Sequence, residues 1–191
     1  MKKRIPNLLT IIRIILVPIF IWFVFSNNIR NNIIWATIIF IIACITDYFD
    51  GMLARRMKVI SNFGKIMDPL ADKILVISAL FAISLELHYT NIIVVIIIIV
   101  REVAVTILRN YYIKKNIYIA ANIWGKLKTI MQMVGITAAL IYYSFISILD
   151  KTESKIFISG FHIFFWLVAV VTILSGLNYF FIKTEKIKKN S

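Results

Sequence analysis

The sequence predicts an all-α integral membrane protein of six transmembrane helices with both termini cytoplasmic. Three observations carry that expectation. Apolar residues make up 61% of the 191-residue chain and charged residues only 16%, with a mean hydropathy of +0.89. Soluble domains carry roughly 45–50% apolar and about 25% charged residues. The apolar residues also fall into six segments, each close to the length of about 20 residues that crosses a bilayer core. Finally, the 22 Lys and Arg greatly outnumber the nine Asp and Glu, and they gather on alternate connections between the segments. A soluble globular domain and a disordered chain are both excluded by this composition.

The first segment runs from Asn7 to Phe25. Its prelude, Met1-Lys2-Lys3-Arg4, has the shape of a signal peptide. Arg13 interrupts the apolar run, however, and no small-residue cleavage site precedes Ser26-Asn27-Asn28, so an uncleaved span is expected. Further segments follow at roughly 33–57, 64–87, 91–113, 120–145 and 156–182, separated by polar breaks such as Lys58 to Asn62 and Asp150 to Lys155. The Ile and Val runs do not argue for strands. In lipid only helices and closed barrels satisfy the backbone, and a barrel would need an alternation that Ile92 to Val100 lacks.

One side of the membrane collects Lys2, Lys3, Arg4, Arg55, Arg56, Lys58, Lys65, Arg109, Lys114, Lys115, Lys183, Lys186, Lys188 and Lys189. The other holds Arg30, Lys151 and Lys155, the last two beside Asp150 and Glu153. By the positive-inside rule the crowded side is cytoplasmic. Basic residues that interrupt apolar runs form no soluble patch, so the net charge of +13 implies no nucleic-acid partner. The single cysteine, Cys44, allows no intrachain disulfide, and His88 and His162 have no ligand spacing. With no repeat and no low-complexity tract, residues 1–191 read as one domain.

Four of the nine acidic residues, Asp47, Asp50, Asp68 and Asp72, fall within 26 positions at the end of the second segment and the start of the third. A carboxylate at mid-membrane costs about 2.5–3.5 kcal/mol on insertion scales, so four together need a reason. Asp47 and Asp50 stand three apart and Asp68 and Asp72 four apart, each pair one helical turn along a common face. Two such pairs can build an all-oxygen cage suited to hard divalent cations such as Mg²⁺, Mn²⁺ or Ca²⁺. Four carboxylates are also enough for two metals, an arrangement that serves phosphoryl chemistry. Gly51 and Ala54 share the face of Asp50 and permit either close helix packing or close approach of a ligand.

The stretch Asp47-Tyr-Phe-Asp50-Gly51-Met-Leu-Ala54-Arg55 continues through eight residues to Gly64, then Asp68 and Asp72. At every fixed position it resembles the signature D-x2-D-G-x2-A-R-x8-G-x3-D-x3-D of the CDP-alcohol phosphotransferases. Pro6-Asn7-Leu8-Leu9-Thr10 with Arg13, Met67 to Lys73, Arg101-Glu102, Leu108-Arg109 and Gly125 to Thr129 further resemble the bacterial branch of that family whose acceptor is glycerol 3-phosphate. The likeness covers residues 4 to 135; Asn110 departs from it, standing where an acidic residue is expected.

The resemblance implies transfer of a phosphatidyl group from CDP-diacylglycerol to sn-glycerol 3-phosphate, with release of CMP, at the cytoplasmic face of the cell (inner) membrane. It implies a divalent metal, Mg²⁺ or Mn²⁺, as two ions, and a homodimer. Asp47, Asp50 and Asp68 carry over as metal ligands, and Asp72 as the general base that also touches a metal. Gly51, Ala54 and Gly64 match the small positions around the nucleotide, Arg55 a contact to the donor phosphates, and Asn7 and Thr10 nucleotide contacts. Arg101, Arg109, Lys126 and Lys128 are expected to meet the acceptor's phosphate, which needs cations. Headgroup snorkelling is the alternative for these four, and for Arg101 neutralisation by the adjacent Glu102. Lys183 to Lys189 are assigned to topology and anionic lipid.

Two rival readings remain at this stage. One keeps the family and changes the acceptor to inositol phosphate, serine or phosphatidylglycerol. The other is a divalent-ion transporter using the Asp cluster, which predicts carboxylates at the bilayer midplane rather than beside Arg55, Arg56 and Lys65.

Overall fold

The structure is a computed structural model. It describes the backbone of residues 4–26, 28–29, 31–57, 62–115 and 123–188, and the side chains of residues 12–26, 28–29, 31–46, 70–113, 115 and 123–177. Among the described residues there are six helices and no strand: α1 (Arg4–Val24), α2 (Asn32–Met57), α3 (Asn62–Leu85), α4 (Ile92–Lys114), α5 (Ile123–Ile148) and α6 (Lys155–Lys188). Each matches one expected segment. Two of them, over Ile123–Ile148 and Lys155–Leu177, are long and apolar enough among the described residues to cross a membrane.

Local chemistry explains where the helices stop. Asn31, His88 and Asp150 adopt positive φ of 59°, 54° and 49°, and each lies in a connection between helices. That left-handed conformation redirects the chain at a helix boundary, and Asn, Asp and His tolerate it best among residues with a β-carbon. Asn91 caps α4, its side chain accepting a hydrogen bond from the Ile93 backbone N–H at 2.9 Å. Pro18 sits inside α1 and has no N–H for the carbonyl one turn earlier, a loss that membrane helices tolerate.

The chain forms two compact units, residues Met1–Leu87 with Thr137–Glu153, and residues His88–Ile136 with Ser154–Ser191. In the first, α1 packs against α2 and α3. Its core is built from Val17, Phe20 and Val24 of α1, Ala36, Phe40 and Ala43 of α2, and Ala71, Leu75 and Ala79 of α3. The rings of Phe20 and Phe40 meet at 5.8 Å, and the alanines let the helix backbones come close. Thr37 Oγ1 lies 2.8 Å from Ser144 Oγ, tying α2 to the second half of α5.

In the second unit α4 packs on α6. Val94, Val95 and Ile98 are buried on α4, and Phe165, Val168 and Ala169 on α6, while Tyr89 stacks on Phe161 at 5.0 Å. The first half of α5 approaches α6 at Gly135, where a β-carbon would stand 2.5 Å from Cε1 of Phe164.

The exterior of the helices is unlike that of a soluble protein. Exposed Ile93, Ile96, Val100, Val103 and Ile107 recur at alternating three- and four-residue steps, forming a continuous apolar stripe along the outside of α4. Trp35, Ile38, Ile42 and Ile45 do the same on α2. Meanwhile Arg13, Thr37, Lys128, Gln132, Ser144, Thr172 and Ser175 are buried. Soluble helices turn apolar stripes inward, and soluble monomers rarely leave contiguous apolar patches of this extent outside. An outward apolar surface, with several polar side chains buried among the apolar core, suits lipid as the surrounding medium.

Candidate active site

Asp47 and Asp50 lie near the C-terminal end of α2, and Asp68 and Asp72 in the first half of α3. Both pairs therefore sit in continuous helix, one turn apart, as the spacing predicts. The side chains of Asp47, Asp50 and Asp68 fall outside the described residues, as do those of Asn7, Thr10, Gly51, Ala54, Arg55 and Gly64. The described backbone and the chemistry of the donor set bear on whether a metal fits. Four carboxylates on two helices, with no His or Cys among them, match the oxygen preference of Mg²⁺ or Mn²⁺. Among the described residues there is no group of three or more His, Cys, Asp or Glu that could hold a metal ion.

Asp72 is the described member of the set, and its partner was not anticipated. Arg13 Nη1 donates to Asp72 Oδ1 at 2.5 Å. The Arg13 side chain is wholly buried, whereas that of Asp72 is 43% exposed. A guanidinium inside an apolar helix needs a partner, because the desolvation penalty of a buried charge is several kcal/mol. The sequence did carry a signal, since Arg13 is the one charged residue within Asn7 to Phe25. What it could not show was the partner, 59 positions away. Ile14, Val17 and Pro18 of α1 and Leu70, Ala71 and Ile74 of α3 line an apolar surface pocket of about 230 Å³.

The four expected acceptor-site cations divide into two kinds. Arg101 and Lys128 converge on Glu102. Lys128 Nζ forms an ion pair with Glu102 Oε1, and Arg101 Nη1 lies 3.6 Å from the same oxygen. Arg101 also donates from Nε to the Thr172 carbonyl at 3.2 Å and from Nη2 to Ser175 Oγ at 2.5 Å, so its guanidinium is built into the α4–α6 packing. Glu102 is thus the carboxylate beside both Arg101 and buried Lys128. Arg109 and Lys126 instead occupy exposed positions. Thr172 and Ser175 had no sequence signal; they read as ordinary apolar-span residues until α6 meets Arg101.

The profile of the CDP-alcohol phosphatidyltransferases matches residues 3–174. The chain belongs to that family. The match takes in α1 through most of α6 and contains both carboxylate pairs. Among its relatives is a protein of Wigglesworthia glossinidia brevipalpis, 36% identical over the whole of both chains. One of Mycoplasma genitalium is 36% identical over 87% of this chain and 75% of its own. One of Bacillus subtilis is 33% identical over 98% of this chain and 99% of its own. All three carry the name CDP-diacylglycerol–glycerol-3-phosphate 3-phosphatidyltransferase.

Proposed function

We propose that this CDP-alcohol phosphatidyltransferase moves the phosphatidyl group of CDP-diacylglycerol to sn-glycerol 3-phosphate, giving phosphatidylglycerophosphate and CMP in phospholipid biosynthesis. One observation carries the reading: relatives similar over essentially the full length share the name of that reaction. The uninterrupted signature from Asp47 to Asp72 supports it.

In this reading a hydroxyl oxygen of glycerol 3-phosphate attacks the phosphorus that bears diacylglycerol. The bond from that phosphorus to the bridging oxygen breaks, and CMP leaves with the electron pair. Asp72 takes the hydroxyl proton, and its partial exposure leaves the carboxylate approachable. Asp47, Asp50, Asp68 and Asp72 would hold Mg²⁺ or Mn²⁺, as two ions. A bound divalent cation supplies positive charge against the doubly anionic pyrophosphate and the departing phosphate. Arg55 adds a fixed cation on the donor phosphates. Gly51, Ala54 and Gly64 leave room for the nucleotide, with Asn7 and Thr10 as hydrogen-bonding contacts to it.

The acceptor's own phosphate is recognised by cations of α4 and α5. Arg109 and Lys126, exposed, make the direct contacts, while Arg101 and Lys128, held by Glu102, add positive potential. Residues 1–191 act as one domain with six spans and both termini cytoplasmic. The protein works as a homodimer in the cell inner membrane with its site facing the cytoplasm. The outward apolar stripes on α2 and α4 and the excess of basic residues on one set of connections support the topology.

The test is CMP release by the purified protein from CDP-diacylglycerol, with glycerol 3-phosphate, inositol phosphate, serine and phosphatidylglycerol offered in turn. Release that depends on glycerol 3-phosphate and on a divalent metal is expected. Release driven by a different acceptor would refute the substrate assignment.

A further inference from the structure

We propose that Glu102 is a positioning residue for the acceptor, a role that rests on the functional reading above. By gripping Lys128 it sets the register of α5 against α4. That register fixes how Arg109 and Lys126, the exposed cations assigned to the acceptor's phosphate, stand relative to each other.

Glu102 lies at a meeting point of three helices. Its Oε1 pairs with Lys128 Nζ of α5 and lies 3.6 Å from Arg101 Nη1 of α4. Arg101 is itself seated on α6, where its Nε donates to the Thr172 carbonyl and its Nη2 to Ser175 Oγ. Gly176 leaves room for it, since a β-carbon there would stand 3.4 Å from Arg101 Cγ. The stretch of α4 that carries the carboxylate is therefore fixed from the α6 side. The grip on Lys128 carries that position over to α5.

Exposure divides the cations between two tasks. The Lys128 side chain keeps 4% of its surface, while Lys126, two positions earlier, is exposed. Two positions are about 200° of helical turn, so a Lys128 that grips α4 leaves Lys126 on the open side of α5. On α4, Arg109 follows Glu102 by seven positions, which is two turns along one face and about 10 Å. The face of α4 that holds α5 is thus the face that bears Arg109. A slip of α5 by one turn would move Lys126 by about 5 Å relative to Arg109, more than a hydrogen bond spans.

A carboxylate adds nothing to the attraction for an anion, because Glu102 subtracts from the field of Arg101 and Lys128. Placed there, it serves by holding. A lysine stem is flexible and its ammonium is a point charge with no orientation of its own. At 20% exposure or less, the three side chains are shielded from water, where pairing between charges is stronger than at a surface. Apolar packing of α4 on α5 would tolerate sliding, whereas a shielded ion pair specifies one register.

The test combines the kinetics of CMP release with a distance measurement. Glu102→Gln, Lys128→Met and the double variant are assayed with each substrate varied in turn. Glu102→Gln should raise the KM for glycerol 3-phosphate about tenfold, the worth of one charge-assisted hydrogen bond, with the KM for CDP-diacylglycerol within about twofold of wild type. In the Lys128→Met background the same substitution should raise it by less than about threefold, since that grip is already lost. Glu102→Asp, which keeps the charge on a shorter stem, should fall between wild type and Glu102→Gln. Spin labels at Arg109→Cys and Lys126→Cys, in a Cys44→Ala background, should report a distance distribution that broadens or shifts when Glu102→Gln is added. An unchanged or lowered acceptor KM, equal damage to both KM values, the full rise in the Lys128→Met background, or an unaltered distance distribution would each overturn the proposal. If Glu102→Gln does not fold, Glu102→Asp carries both measurements, with a smaller acceptor-selective rise expected. The functional reading fails separately, in the wild-type protein, when CMP release does not depend on glycerol 3-phosphate. The distance measurement then decides by itself whether Glu102 sets the register.

Discussion

An aspartate exchanged for asparagine keeps its volume and loses its charge, so it separates metal binding from packing. Asp47→Asn, Asp50→Asn and Asp68→Asn should each abolish metal-dependent turnover while the protein still inserts in the membrane; near-normal activity with an unchanged metal requirement in any of them would remove that residue from the cage. Asp72→Asn should lower kcat by about 10²–10⁴, the usual worth of a general base, and leave donor binding largely intact. Lys126→Ala and Arg109→Ala should raise the KM for glycerol 3-phosphate about tenfold and leave that for CDP-diacylglycerol nearly unchanged, since a charge-assisted hydrogen bond is worth about 1.5–3 kcal/mol. Equal damage to both KM values would move these cations to the donor. The carboxylates were legible at this scale because charge in an apolar segment is conspicuous. Arg13 was conspicuous for the same reason, but nothing in a single sequence pairs it with a residue 59 positions on. The engagement of Lys128 by Glu102 was hidden likewise, because it joins α4 to α5 through folding rather than spacing.

Among the helices, segment ends agree with the sequence where a polar break is abrupt. The expected 33–57 and 91–113 correspond to Asn32–Met57 and Ile92–Lys114, each bounded by Asn or Lys. The sixth helix runs on to Lys188, past the expected end at 182. Lys and Glu are good helix formers, so hydropathy marks where the apolar stretch stops and not where the helix does. Helix contacts were the least legible feature, since they depend on which small residue faces which ring. Gly135 on α5 is such a point: Phe164 of α6 occupies the space a β-carbon would take. Gly135→Val should destabilise the protein by about 1–3 kcal/mol, read as a lower unfolding temperature in detergent. An unchanged midpoint would mean that α6 yields there at no cost.

For the whole molecule, an outward apolar surface and a one-sided basic charge lead to a topology that labelling can check. In a Cys44→Ala background, Lys151→Cys should react with a membrane-impermeant thiol reagent in intact cells. Ser191→Cys should react only after the membrane is opened; labelling of Ser191→Cys in intact cells would overturn the cytoplasmic assignment of the C-terminus. Family membership and the relatives' shared name converge on one reaction, in which an acceptor hydroxyl attacks the lipid-bearing phosphorus of the donor. The most direct measurement is mass spectrometry of the products formed by the purified protein from CDP-diacylglycerol and glycerol 3-phosphate with Mg²⁺ or Mn²⁺. The account predicts phosphatidylglycerophosphate and CMP in equal amounts, neither forming when glycerol 3-phosphate is withheld. Phosphatidic acid together with a cytidine-bearing glycerol phosphate would place the attack on the other phosphorus and contradict it.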